Sequence, residues 1–393
     1  MVIKRDIEPV VRAAAASFPV VTVTGPRQSG KSTLCRHLFS DRPYVSLEPP
    51  DTRSFASEDT RGFLAGYPDG AVIDEVQRVP ELASYLQSLV DDDPTPGRWI
   101  ITGSQNLTLL DSVNQSLAGR TAILNLLPLT RNEIVRFGSA TDNLEAALLA
   151  GGYPRIYDQG LDPSTWLASY VATYVERDVR TVSNIGDLVA FQRFVELCAG
   201  RTGQLLNYSG IAADAGVSQP TAKAWLSVLE TSFLAFRLPS HHANIRKRLT
   251  KMSKLHFYDS GLVCWLLAIR TPEQLRIHPL RGAIFESWMT SEIAKHRANR
   301  GEAAGLSHYR DSGGLEADVV VEGAGSLALV EAKSGRTVTR DALGSLGRVR
   351  QLLESDQRSV ATSLVYGGDD SMRRSETEVV SWLDLADRSW VLE

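Results

Sequence analysis

Apolar and polar positions change period along the chain, and the changes mark its elements. Val20 to Thr24 is a β-branched run that predicts a strand, and a helix follows from about Lys31 with Leu34 and Leu38 on one face. Two further apolar strands, in GAVIDEVQ and RWIITGSQN, each end in polar residues. From Asp158 to Gly200 apolar residues recur at three- and four-residue spacing, in WLASYVATYVERDV and LVAFQRFVELCAG, which predicts helices. A helix over Tyr208–Ala215, a turn at Gly216 and a second helix from Thr221 to about Glu230 come next, with Ala224, Trp225, Leu226 and Leu229 as its buried side. RGAIFESWMTSEIAKHRAN predicts an amphipathic helix, and EADVVVE and LALVEAK predict a hairpin of period two. GSLGRVRQLLESDQ then reads as a helix, and SVATSLVYGG and EVVSWLDLADRSWVLE supply short strands.

The first strand and helix flank GPRQSGKST, which has the spacing GxxxxGK[ST] in the strand–turn–helix context that a phosphate-binding loop requires. Gly25 and Gly30, with Pro26, Arg27, Gln28 and Ser29 between them, let backbone N–H groups converge on phosphate at a helix N-terminus. Lys31 is expected to reach the β and γ phosphates of ATP, Ser32 to hold Mg²⁺, and Thr33 to complete the motif. In GAVIDEVQ, Asp74 is expected to organise Mg²⁺ and Glu75 to orient the attacking water, because phosphoryl transfer depends on positioning and charge. Ser104, with Asn106 as second choice, sits where a γ-phosphate sensor belongs, since ligands lie at the carboxyl ends of parallel strands.

Composition narrows the remainder. The 393 residues suggest two to four domains, with 43% hydrophobic and 22% charged residues as in an ordinary globular chain. A net charge of −4 argues against coating nucleic acid by bulk charge, so basicity must be local. It is local in HHANIRKRLTKMSKLHFYDSGL, where Arg246, Lys247, Arg248, Lys251 and Lys254 form a candidate phosphate-binding strip beside Gln219 and Thr221 at the start of the second helix. A basic protein-contact surface is the alternative. Three scattered cysteines indicate neither disulfides nor zinc. No segment approaches the roughly 18 apolar residues that span a bilayer, so the expectation is a cytoplasmic protein with no membrane partner.

In the last third, Asp318 on one predicted strand and Glu331 and Lys333 on the next form the pattern D…ExK, and Glu286 on the preceding helix adds an acid. Period-two geometry puts Glu331 and Lys333 on one face, with Asp318 beside them. This resembles the PD-(D/E)xK nuclease fold, in which Asp318 and Glu331 would hold Mg²⁺, with Mn²⁺ as a substitute, and Lys333 would position water.

Taken in order, GPRQSGKST, VIDEVQ, TGSQN, SLAGR, PLTRNE, GGYP, ERDV, LNYSGIA, KRLTKMSKLHFYDSGL and EADVVVE…VEAKSG resemble a large family of bacterial and archaeal AAA-superfamily ATPases. Their carboxyl-terminal domain has long been labelled as of unknown function. The resemblance implies an α/β chain with an AAA-type parallel-sheet core (1–135), a helical lid or bridge (136–200) that includes the charged cluster Glu176, Arg177 and Asp178, a winged helix-turn-helix (201–275) and a restriction-endonuclease-like domain (276–393). It also implies Arg120 as an arginine finger acting in trans in a homo-oligomer, with a surface ion pair as the alternative. In the lid, GGYPRIY would place Tyr153 or Pro154 on adenine and Arg155 near the phosphates, unless it is a plain helix-to-helix turn. The expected function is Mg²⁺-dependent ATP hydrolysis acting on DNA through a metal-dependent nuclease end. The alternative is a nucleotide-gated module whose tail binds a partner without cutting.

Overall fold

The structure, a computed structural model, describes residues 2–104, 116–173, 186–241, 252–302, 305–354 and 359–390. It divides into two compact units. The first comprises Met1–Leu127, Thr231–Phe233 and Ala298–Gly301, and the second Pro128–Glu230, Leu234–Arg297 and Glu302–Glu393.

The first unit is a five-stranded sheet ordered β2-β3-β4-β1-β5, from β1 (Val20–Gly25), β2 (Tyr44–Ser46), β3 (Ala71–Asp74), β4 (Trp99–Ser104) and β5 (Thr121–Asn125). Every pairing is parallel. Parallel sheets need cover on both faces, which is why β1, β3 and β4 read as continuous apolar runs and are buried throughout. Alternation still assigns the faces. Val21, Val23, Val72 and Ile100 pack on the helices Glu8–Ser17 and Lys31–Leu38, whereas Val20, Ile73, Trp99 and Ile101 pack with Phe63, Leu82 and Leu86. Truncating a fully covered member such as Ile101 to alanine would cost about 2–5 kcal/mol. The register aligns Gly25 with Ser104 and Ile73 with Ile101, so the phosphate loop, Asp74 and the end of β4 share one sheet edge.

In the second unit, helices Tyr208–Ala215 and Gln219–Thr231 are joined at Gly216, whose φ of 75° closes the first helix as a left-handed cap. Ser218 caps the second, its hydroxyl accepting from the Thr221 N–H at 3.2 Å. A small antiparallel sheet, β6-β8-β7, follows from β6 (Gln204–Leu205), β7 (Ala235–Leu238) and β8 (Lys254–Phe257).

The larger sheet has the order β13-β14-β12-β11-β10-β9, from β9 (Leu306–Arg310), β10 (Glu316–Glu322), β11 (Ser326–Lys333), β12 (Ser359–Tyr366), β13 (Met372–Arg374) and β14 (Thr377–Ser381). β9, β10 and β11 are antiparallel neighbours, whereas β12 is parallel to β11 after the crossover helix Arg340–Leu353. The expected hairpin is therefore present. One core runs through Leu148, Phe191, Trp225, Phe257, Phe285, Val330 and Trp382, joining stretches that the sequence divides into lid, helix-turn-helix and terminal domain.

Helix Arg281–Ala298 corrects an expectation. It is buried on nearly all sides rather than amphipathic. Its serines satisfy the backbone of β8 and the residue after it: Ser287 Oγ accepts from the Phe257 N–H at 3.2 Å and Ser291 Oγ donates to the Tyr258 carbonyl at 2.7 Å. On another side Trp288 meets Trp382 edge-on. Polar residues spent on a neighbouring strand look, in sequence, like a solvated face.

Candidate nucleotide site and carboxylate cluster

At the end of β1 the chain turns with φ of 146° at Gly25, and a Cβ there would lie 2.2 Å from the Leu126 carbonyl oxygen, so only glycine fits. Gln28 (φ 65°) and Gly30 (φ 94°) are also left-handed, and helix Lys31–Leu38 begins at once. Arg5, nearly buried, braces the loop from beneath by donating to the carbonyls of Ser29 and Leu127, both at 2.9 Å. Ser29 Oγ is buried without a hydrogen-bond partner.

Lys31 Nζ donates to the carbonyls of Gly25 at 3.0 Å and Pro26 at 2.8 Å. Burial lowers its pKa to about 8, against the pull of Glu75 and Asp74. Asp74 collects three hydroxyls: Ser32 Oγ at 2.8 Å and the Tyr44 hydroxyl at 2.6 Å donate to Oδ2, and Thr102 Oγ1 donates to Oδ1. Glu75 follows at φ 60°, half-buried, its pKa raised by burial and then by Asp74. Gln77 Nε2 donates to Glu75 Oε2 and to Ser104 Oγ at 3.1 Å, which ties the acid to the end of β4. The sequence singles out Lys31, Ser32, Asp74, Glu75 and Ser104, and the fold brings these five together. Arg5, Tyr44, Gln77 and Thr102 escape it. Two of these carry a sequence signal: Thr102 lies two positions before Ser104 on the same strand, and Gln77 closes the run VIDEVQ.

Arg120 makes a two-point ion pair with Asp91, Nε to Oδ1 at 2.5 Å and Nη2 to Oδ2 at 2.9 Å, on the exposed surface of the first unit. Pro154 and Arg155 belong to the second unit, and Arg155 is exposed. Tyr153 is 1% exposed, stacks among Trp166 and Tyr170 and donates to the Tyr170 hydroxyl at 3.0 Å, so it is a core residue and not a free platform for adenine. The glycines before it serve a close approach: the Gly152 N–H donates to Asp259 Oδ2 at 2.6 Å, and a Cβ on Gly152 would meet the Leu129 carbonyl oxygen at 2.6 Å. Gln219 is exposed and Thr221 partly so at the start of their helix. Asn106, the acidic-basic cluster Glu176, Arg177 and Asp178, and the basic residues Arg246, Lys247, Arg248 and Lys251 lie outside the described residues.

Lys254 does not join an exposed strip. It is 2% exposed, and its Nζ lies 2.8 Å from Glu286 Oε1, 2.6 Å from Glu316 Oε1 and 3.0 Å from Asp318 Oδ1. The reason is strand geometry: all of β8 is buried, with Leu255 and Phe257 in the apolar core and, at alternate positions, Lys254 among the acids of the larger sheet and of helix Arg281–Ala298 and His256 against the Phe236 ring. Burial works against the Lys254 charge, but Asp318, Glu286 and Glu316 outweigh it and raise the pKa. The other Asp318 oxygen accepts from the Ala332 N–H at 3.0 Å. Lys333 Nζ pairs with Glu331 Oε1 at 2.7 Å, while Glu331 Oε2 is buried without a partner. Burial, and then Asp318, pushes Glu286 up to about 8 and Glu331 up to about 7.

Asp318, Glu331, Lys333 and Glu286 thus meet as the sequence predicts, with Glu316 as an unforeseen fourth acid. Glu316 was readable, being two residues before Asp318 on one strand face. As a metal site the arrangement does not fit: of the two expected ligands, Asp318 has Oδ1 on the Lys254 ammonium, which also holds Glu286, and Oδ2 on a backbone N–H, while Glu331 has Oε1 on Lys333 and only Oε2 without a partner. Among the described residues no group of three or more His, Cys, Asp or Glu side chains is arranged to hold a metal ion. None of the described helices is long and apolar enough to cross a membrane.

Comparison with known proteins agrees with the geometry of the first unit. Residues 17–135 match the family described as "AAA domain", residues 141–273 a domain of unknown function (DUF8612) and residues 281–385 another (DUF4143). Among solved structures, the Walker-type ATPase PABY2304 of Pyrococcus abyssi is similar at 14% identity and a TM-score of 0.45, covering 68% of this chain and 96% of that one. The uncharacterized proteins Rv2008c of Mycobacterium tuberculosis and Mb2031c of Mycobacterium bovis are each 30% identical over 381 residues, covering 96% of this chain and 82% of theirs. An AAA-type P-loop unit at the amino-terminal end and this near full-length likeness place the chain in one family with these mycobacterial proteins.

Proposed function

We propose that the chain is a Mg²⁺-dependent ATPase whose hydrolysis cycle repositions its carboxyl-terminal region on DNA. One observation carries the ATPase reading: the phosphate loop, Asp74 and Glu75 converge at the carboxyl ends of parallel strands with Lys31, Ser32 and Ser104 in reach of them. Ser32 Oγ and Asp74 Oδ2, 2.8 Å apart, form the hard-oxygen pair that suits Mg²⁺. When bound there, the ion supplies neutralising charge to the β and γ phosphates. The loop amides grip the phosphates, and Lys31 exchanges its carbonyl partners for phosphate oxygens. Glu75, whose raised pKa makes its carboxylate a better proton acceptor, orients the attacking water. Ser104, bonded to Gln77, is placed to report whether the γ phosphate is present. Arg120 would serve a neighbouring subunit after leaving Asp91.

The experiment is direct. Lys31→Ala should abolish ATP binding by calorimetry, and Glu75→Gln should bind ATP but release no phosphate. Normal turnover in both variants would remove the assignment.

DNA enters through the second unit. The exposed helix start around Gln219 and Thr221, with a three-stranded sheet after it, supports a winged-helix reading. The sequence of helix, three antiparallel strands, crossover helix and parallel strand supports a nuclease-like fold. A fold is not an activity. The position of Lys254 favours the alternative, a tail that binds its partner without cutting. Incubating plasmid and single-stranded DNA with Mg²⁺ or Mn²⁺ decides between them: cutting that Lys333→Ala abolishes supports a nuclease, and no cutting in either supports a binding tail.

A further inference from the structure

We propose that Lys254 is the resident cation of the carboxylate cluster, and that its ammonium keeps divalent metal out of the site in the folded chain. The inference concerns the second unit alone and stands apart from the ATPase reading. Three oxygens from Glu286, Glu316 and Asp318 surround Nζ at 2.6 to 3.0 Å, matching its three N–H donors one to one. The three acids come from two separate elements, helix Arg281–Ala298 and β10, so the lysine crosslinks a helix to a sheet as well as neutralising them. A divalent ion taking Asp318 Oδ1 as a ligand would have to displace Nζ, which lies 3.0 Å from that oxygen. Expelling the lysine would leave a charged group 2% exposed without its partners, a strongly unfavourable exchange. Two buried histidines limit any retreat: neither nitrogen of His256 has a hydrogen-bond partner, and burial and the Lys254 charge keep its ring neutral. His308 Nε2 donates to the Met252 carbonyl oxygen at 3.1 Å while its Nδ1 has no partner, and burial lowers its pKa to about 4, so it too is neutral near the ammonium.

The prediction runs opposite to what a metal-dependent nuclease centre requires. Removing Lys254 should create a divalent site, because the remaining acids then face Lys333, paired with Glu331, and the exposed Arg310, 3.7 Å from Glu316.

The experiment uses the full chain without nucleotide and Mn²⁺ as probe, free Mn²⁺ being read by electron paramagnetic resonance. Wild type and Asp318→Asn should bind Mn²⁺ alike, since the cluster contributes nothing. Lys254→Met should gain one Mn²⁺ that the double variant Lys254→Met, Asp318→Asn loses, with affinity falling by about tenfold or more. Two results would overturn the proposal: a wild-type Mn²⁺ site that Asp318→Asn weakens by that factor, or a folded Lys254→Met with no gain. Should Lys254→Met not fold by circular dichroism, wild type against Asp318→Asn and Glu331→Gln decides alone: equal binding upholds the resident lysine, and loss in either acid variant refutes it.

Discussion

Two regions of this molecule use the same parts, clustered carboxylates with a buried lysine beside them, and join them differently. In the first unit Lys31 bonds to main-chain carbonyls and leaves Asp74 to three hydroxyls. In the second, Lys254 bonds directly to carboxylates. A neutral carbonyl yields an ammonium to phosphate without leaving a bare charge behind, and the ammonium gains a charged acceptor. A buried carboxylate does not yield it without being stranded. The first arrangement is open to a ligand, and the second is closed by its own side chain.

The sharpest way to break this comparison is Lys254→Ala. Removing one partner of a buried ionic network should destabilise the second unit by about 3–5 kcal/mol, read from urea melts. A loss below about 1 kcal/mol would mean that the acids are solvated and the contrast with Lys31 empty. Next comes Glu75→Gln, for which hydrolysis should fall about 10²–10⁴-fold while ATP affinity holds, as expected when a proton-accepting group is neutralised. If affinity fell instead, Glu75 would belong to binding.

A smaller effect tests the Lys31 side through pH. With its pKa lowered to about 8, Lys31 in the empty site loses its proton above that pH, yet phosphate requires the ammonium. ATP binding should therefore take up a proton as pH rises through 8, and affinity should fall by up to about tenfold per pH unit beyond it. Calorimetry at pH 9 in two buffers of different ionisation enthalpy measures the uptake. Identical enthalpies would show the loop lysine already charged and held as firmly as Lys254. The smallest effect on folding belongs to Arg120→Ala, which should leave the melting curve in place, because the pair with Asp91 is exposed. Its hydrolysis should drop and recover partly on mixing with Glu75→Gln subunits, and failure to recover would return Arg120 to a plain surface role.

These regions also differ in how far the chain alone disclosed them. The phosphate loop was legible because Gly25, Gly30, Lys31 and Ser32 act within one turn of chain, where spacing and geometry are the same thing. The hairpin carrying Asp318, Glu331 and Lys333 was legible for the same local reason. Lys254 was misassigned because it sits at the end of a cationic run, and nothing in that run tells which member faces inward. Its partners lie 32, 62 and 64 positions away, at Glu286, Glu316 and Asp318. Tyr153 misled in the same manner, since a glycine-proline turn looks alike whether its aromatic ring meets a ligand or a Trp166–Tyr170 stack. Gln77, which ties Glu75 to Ser104, closes the run VIDEVQ, but nothing in that run assigns its amide a role, and only the folded strand order brings it beside Ser104.

Because β8 delivers Lys254 from upstream of helix Arg281–Ala298, where one cuts the gene matters. A shortened protein starting at Arg281, the natural choice for studying the terminal region by itself, would strip out the cation along with the strand that Ser287 and Ser291 clasp. Manganese captured by such a fragment would report the surgery and not the intact polypeptide.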